Sequence, residues 1–145
     1  MLLGQYEAKI DKNSRCALPK RFRQVLGDRI IATLGYENSL IIVSRESWET
    51  LLSGTAGRPF IESETRETQR FLLGNASELE LDSKGRFILP SYLRTFAGIE
   101  NDVIFLGLSG YVELWDKKRW EQYRGILEKS IDRISKRLID KETRR

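Results

Sequence analysis

The sequence predicts an α+β fold made of two copies of one small β-rich module followed by a helical tail. Three observations carry the prediction: a motif that recurs along the chain, strand-like alternation within each copy, and a late stretch of helical spacing. Ile10-Asp11-Lys12-Asn13-Ser14-Arg15-Cys16-Ala17-Leu18-Pro19 aligns with Leu81-Asp82-Ser83-Lys84-Gly85-Arg86-Phe87-Ile88-Leu89-Pro90 at an offset of 71, so that Asp, Arg, Leu and Pro recur in step. The same offset pairs Arg23 with Arg94 and Gly27 with Gly98. After one inserted residue it becomes 72, pairing Leu34-Gly35 with Leu106-Gly107 and Trp48-Glu49 with Trp120-Glu121.

Each module reads in the same order. Tyr6, Ala8 and Ile10 alternate on one face of a first strand, a turn follows at Asp11 to Ser14, and a second strand leaves through Arg15 to Leu18, which together predict a β-hairpin. Pro19 suits the first turn of a helix, where no amide donor is needed; Phe22, Val25 and Leu26 then form one helical face and Gly27 closes it. A β-branched strand at Ile30 to Leu34, a turn at Gly35 to Asn38 and the apolar strand Leu40 to Val43 come next. Ser44 caps a helix whose inner face carries Trp48 and Leu51, as Asp116 does for Trp120 and Tyr123. Between the modules, Ser53 to Pro59 reads as a loop and Ser63 to Leu73 as a polar helix. The loop glycines are no phosphate cradle, because Arg58-Pro59 stands where Gly-Lys-Ser or Gly-Lys-Thr would be needed. The expected division is 5–52 for the first module, 53–77 for the linker with its helix, 78–124 for the second module and 125–145 for a basic helical tail.

Composition narrows the function. The chain contains no histidine, which removes the commonest general base and the commonest metal ligand together, so histidine-dependent triads and zinc sites are excluded and no cofactor is implied. The one cysteine, Cys16, cannot form an internal disulfide and reads as a small buried apolar residue. Apolar runs reach only four residues, so no membrane span is expected. The start at Met1 to Glu7 has neither a basic stretch nor an apolar core, and a cytoplasmic, nucleoid-associated address follows as the expectation. The net charge of +4 is unevenly placed: residues 117–145 hold 11 Lys and Arg against 5 Asp and Glu, which leaves the rest at −2. Within that acidic body, Lys9 to Arg23 carries six basic residues against Asp11 alone. Such a patch suits a polyanion.

The repeated Asp-x-x-x-Arg spacing has a plain structural reading, in which Asp caps its own turn and Arg pairs with it for about 0 to 1 kcal/mol. Duplication, with extra lysine in both turns, favours more. A guanidinium held by a carboxylate on a two-stranded ribbon is pre-oriented, and such a ribbon fits the DNA major groove, where Arg can donate two bonds to guanine. Arg15 and Arg86 are therefore the expected base contacts with Asp11 and Asp82 orienting them, while Lys12, Lys84, Lys20, Arg21, Arg23 and Arg94 would neutralise phosphates. Pro19, Pro90, Trp48 and Trp120 read as fold-specifying residues. The tail places Tyr123, Ile126, Leu127, Ile131, Ile134 and Leu138 at spacings of three and four with basic residues between; it could cover the body, contact another subunit or assist at phosphates.

Two Asp-x-x-x-Arg turns, each followed by Leu-Pro, in a chain of this length closely resemble the MraZ family of bacterial transcriptional regulators of the division and cell wall gene cluster. The resemblance spans Gly4 to about Leu127. It implies tandem AbrB-type modules packed pseudo-symmetrically as a swapped-hairpin barrel flanked by helices, assembled as a ring-shaped homo-oligomer on repeated boxes of double-stranded promoter DNA. The family pattern Asp-x-Lys-Gly-Arg is met in full by Asp82 to Arg86, whereas Asn13 and Ser14 depart from it in the first copy. Asn tolerates a left-handed turn, so closure is still expected there, with Lys12 as the nearest replacement charge. Two other readings stay open: an enzyme using Asp11 or Asp82 as a carboxylate catalyst, which needs a cleft and a raised pKa, and a protein-interaction or antitoxin-like module without specific DNA binding.

Overall fold

The computed structural model describes residues 1–54 and 57–143, and its strands form one six-stranded antiparallel sheet and one two-stranded ribbon. The first module supplies β1 (Leu2–Lys9), β2 (Arg15–Ala17), α1 (Lys20–Leu26), β3 (Arg29–Leu34), β4 (Leu40–Ser44) and α2 (Arg45–Leu51). After a 3-10 turn at Leu52–Gly54 and helix α3 (Ser63–Leu72), the second module repeats the order. It supplies β5 (Ser77–Glu80), β6 (Arg86–Ile88), α4 (Ser91–Ala97), β7 (Asp102–Ser109), β8 (Val112–Asp116) and α5 (Lys117–Thr143). Thr55 and Ala56 of the expected inter-module loop, and Arg144 and Arg145 of the tail, lie outside the described residues.

The sheet order β1-β7-β8-β4-β3-β5 has a pseudo-two-fold axis between β8 and β4. Each module's first strand crosses to the other: β1 pairs along its whole length with β7, and β5 pairs with β3. This corrects the local hairpin expected at Asp11 to Ser14, where one bridge, Ile10 to Cys16, joins the two arms before β2 leaves to pair with β6. The reason is burial. β1 gains a full ladder on β7, with Gly4 opposite Gly107, whereas β2 is only three residues long. A Cβ on Gly107 would sit 2.5 Å from the Leu2 backbone, so only glycine allows that approach. The ladder does not close into a barrel, because β1 and β5 remain its two edges.

Period-two alternation explains the core. Ile30, Ala32, Leu40, Ile42, Val103, Phe105, Val112 and Leu114 face the helices α1 and α4 and the ribbon, where Phe22, Phe87, Leu89 and Leu93 are fully buried. The opposite face is buried twice, by Leu72 and Trp48 over Ile31, Ile41 and Val43, and by Trp120 and Tyr123 over Ile104, Leu106 and Trp115. Strands covered on both faces read as continuous apolar runs, and each fully buried Leu, Ile or Phe contributes about 1.5 to 3 kcal/mol. Val25 is 49% exposed, contrary to the expected helical face, since the seven-residue α1 buries only the i, i+4 pair Phe22 and Leu26.

Helix ends follow the sequence signals. Pro19 and Pro90 occupy the N-cap positions, and their carbonyls accept the amides of Phe22 and Arg23, and of Leu93 and Arg94. Ser44 Oγ accepts the Ser47 amide at 3.1 Å, and Asp116 Oδ2 the Arg119 amide at 3.4 Å. The tail is one 27-residue helix held to the body through Trp120, whose Nε1 donates to Gln5 Oε1 at 3.2 Å. Of its apolar residues beyond Tyr123, Leu127 is half-buried and Ile126, Ile131, Ile134, Leu138 and Ile139 are exposed, so coverage of the body reaches no further than Leu127. No described helix is long and apolar enough to cross a membrane.

Candidate nucleic-acid interface

Each recurring motif folds into a tight turn clamped by its aspartate. Asp11 Oδ1 accepts the amides of Asn13 at 2.8 Å and Arg15 at 2.9 Å, while Oδ2 accepts Arg15 Nε at 3.0 Å. Asp82 does the same for Lys84, Arg86 and Arg86 Nε, each at 2.9 Å. The turn closes through the Asp11 amide on the Arg15 carbonyl and the Ser14 amide on the Asp11 carbonyl, with matching bonds at Asp82 and Gly85. A carboxylate suits this place because it is acceptor-only and presents two oxygens to three donors. The arginine amide is the largest cause holding each carboxyl below the usual carboxylate range, outweighing the opposing effect of desolvation; the arginine side chain and a turn amide add to it. A depressed folded pKa means that the clamp's contribution is present above the ordinary range and lost only as pH falls through the lower folded value. Both clamps are therefore closed at neutral pH. Acid–base catalysis by Asp11 or Asp82 would need the opposite shift.

The β2–β6 ribbon joins the two turns into one surface. Its register sets Arg15 opposite Ile88, Cys16 opposite Phe87 and Ala17 opposite Arg86. Amides beyond the ladder tie each strand to the other module's turn, Leu18 to the Gly85 carbonyl and Leu89 to that of Ser14. Alternation turns Cys16 and Phe87 into the core and leaves Arg15, Ala17, Arg86 and Ile88 on the outer face. The two arginines are diagonal neighbours across the ribbon, a relation of about 7 to 8 Å. Their side chains are 41% and 35% exposed, and each spends only Nε on its aspartate. The four N–H donors on the terminal nitrogens of each have no partner among the described residues.

The other predicted cations divide. Lys12 and Lys84 are exposed on the turns, and Lys20 and Arg21 are exposed at the start of α1. Arg94, expected at phosphate, is taken up within the fold instead. Its Nη1 donates to the Asp11 carbonyl and Ser14 Oγ, both at 2.9 Å, its Nε to the Ile99 carbonyl at 3.1 Å, and its Nη2 to the Glu100 carbonyl. Four of its five donors are thereby used, which leaves too little for a phosphate. Arg23, its counterpart, lies against the second turn, so close that a Cβ on Gly85 would fall 1.6 Å from its Nη1. Arg23 of α1 and Arg94 of α4 thus each reach the opposite module's turn. Sequence reading missed this crossing, although the shared 71-residue offset was its signal. It also missed Ala17 and Ile88 on the arginine face, for which i, i+2 alternation from Arg15 and Arg86 was the available clue.

The repeat agrees with comparison to known proteins. The family model described as "MraZ protein, putative antitoxin-like" matches the chain twice, over residues 1–71 and 72–142. The chain belongs to the MraZ family. A curated relative from Thermoanaerobacter sp. (strain X514), named transcriptional regulator MraZ, is 39% identical over 140 residues, covering 97% of this chain and 98% of the relative. Relatives of the same name from Thermoanaerobacter pseudethanolicus and Acetivibrio thermocellus are 41% and 37% identical, each over 95% of this chain and 96% of their own length. The two MraZ repeats supply β1 to β4 and β5 to β8, and each half of the pseudo-symmetric sheet combines two strands of one repeat with the first strand of the other.

Proposed function

We propose that this MraZ-family chain is a sequence-specific DNA-binding transcriptional regulator. In this reading a ring-shaped homo-oligomer engages repeated promoter boxes upstream of the division and cell wall gene cluster. The observation that carries the reading is the placement of Arg15 and Arg86 on one outer face of one ribbon, each fixed through Nε and each with its terminal nitrogens free. A clamped guanidinium loses little freedom when it binds, and its open edge matches guanine O6 and N7. Lys12, Lys84, Lys20 and Arg21 neutralise the flanking phosphates. The names of the relatives support regulation. The uncovered apolar residues of α5, among them Ile131, Ile134 and Leu138, supply a surface for subunit contact. In a ring, weak modules suffice, since each later contact is made at high effective concentration.

The test is fluorescence anisotropy with duplex from upstream of the protein's own gene, intact and scrambled, over a salt series. The intact duplex binds more tightly, affinity falls steeply with salt, and Arg15→Ala and Arg86→Ala each cost about 1 to 3 kcal/mol of discrimination. Lys20→Ala weakens both duplexes alike and reduces the salt slope by about one per subunit engaged. Equal binding of intact and scrambled duplex by the unmodified protein sinks the reading in favour of a protein partner, the alternative that the family's antitoxin-like description supports.

A further inference from the structure

Between its two arginines the ribbon's outer face is aliphatic. Ile88 stands directly opposite Arg15 and is 63% exposed, and Ala17 stands opposite Arg86 and is also exposed. An isoleucine left in water amid guanidinium groups adds nothing to this fold: its ribbon neighbours Phe87 and Leu89 already fill the core beneath. Nor is the surface a patch for an apolar partner, since two aliphatic side chains bounded by two cations are too little area.

We propose, on the basis of the DNA reading above, that Ile88 determines specificity by packing against the C5-methyl group of a thymine beside a guanine read by one of the two arginines. The thymine methyl is the apolar group that base edges display in the major groove, and aliphatic side chains are its recognised partners. A side chain within one ribbon spacing of both guanine-reading arginines meets the base pairs next to those guanines. The repeat adds a consequence. Ala17 occupies the place equivalent to Ile88, at the offset of 71, and is too short to make the same contact. A pseudo-two-fold ribbon with arginine in both halves would read an inverted box equally in either direction. The Ala17–Ile88 difference breaks that symmetry, so the box has a polarity, with thymine favoured on the second module's side.

The test replaces the thymines of the upstream duplex one at a time by deoxyuridine, which deletes only the methyl group, and titrates the full chain by anisotropy. At one thymine per box the unmodified protein loses about fourfold in affinity, the value of one buried carbon. Ile88→Ala binds the unsubstituted duplex with the same loss, shows no further loss at that deoxyuridine, and keeps the salt slope because no phosphate contact is removed. Insensitivity to deoxyuridine at every position, or an Ile88→Ala protein that retains the sensitivity, overturns the proposal while preference for the intact over the scrambled duplex stands. Loss of that preference in the unmodified protein overturns the DNA reading itself and this inference with it. The deoxyuridine scan needs no variant, so folding of Ile88→Ala does not decide the outcome.

Discussion

The two turns share one clamp and differ in what supports it. In the second, Gly85 has φ of 74° and the Arg23 side chain lies against it without a side-chain hydrogen bond among the described residues; in the first, Ser14 has φ of 61° and its hydroxyl oxygen accepts from Arg94 Nη1. The left-handed residue is Ser14 rather than the expected Asn13, because the conformation belongs to the position that Gly85 holds in the other copy. A non-glycine residue there costs about 1 kcal/mol or more. The first module offsets that cost with the Arg94 bonds. The same turn geometry is thus reached once through a permissive backbone and once through an imposed side-chain contact.

That difference predicts unequal dependence on the paired arginines. Arg94→Ala removes four hydrogen bonds, three of them to carbonyls, and should lower stability by about 2 to 3 kcal/mol, whereas Arg23→Ala, losing packing alone, should cost under about 1 kcal/mol. Urea unfolding of the two variants measures both. Equal costs would break the comparison.

Beneath the ribbon the copies differ again, with Cys16 placed where the second module has Phe87. Burial pushes the Cys16 thiol from 9.0 up to about 12. The sign follows from proton counting: above pH 9 the unfolded chain releases the thiol proton and the folded chain keeps it, so stability falls as pH rises toward the folded pKa. The slope is about 1.4 kcal/mol per pH unit. Unfolding measured at several pH values between 9 and 11 should show that slope in the unmodified protein and a slope shallower by this amount in Cys16→Ala. Identical slopes would mean that Cys16 is solvated in the folded state.

The sequence made the local elements legible because their causes are local. Proline at the helix starts, Ser44 and Asp116 as caps, Leu40 to Val43 as a buried strand and the aspartate clamp all depend on residues within a few positions of one another. Pairing choice is not local. Nothing within Leu2–Lys9 distinguishes β2 from β7 as its partner; the gain comes from a ladder about a hundred residues away. For the same reason Arg94 read as one more cation: its partners in the other module, the Asp11 carbonyl and the Ser14 hydroxyl, come near only through the exchange of strands. Of the candidate site, the residue types and the Asp–Arg pairing were readable. The convergence of both arginines on one ribbon with Ile88 between them needed the register.

The smallest expected effect sharpens the comparison most, because it tests whether the two supports are interchangeable. Ser14→Gly relieves left-handed strain but gives up the Arg94–hydroxyl bond and adds chain entropy to the unfolded state, terms of about 1 kcal/mol each that nearly cancel. Gly85→Ser has no such compensation. It places a β-carbon where Arg23 now lies, and its hydroxyl gains a partner only if Arg23 turns to meet it, so a loss of about 1 kcal/mol or more is expected. Urea midpoints for the two variants should therefore differ, with Ser14→Gly within about 0.5 kcal/mol of the unmodified protein. If Gly85→Ser proved equally silent, Arg23 would be free to adopt the hydrogen-bonded arrangement of Arg94, and the two turns would be alternative settings of one device.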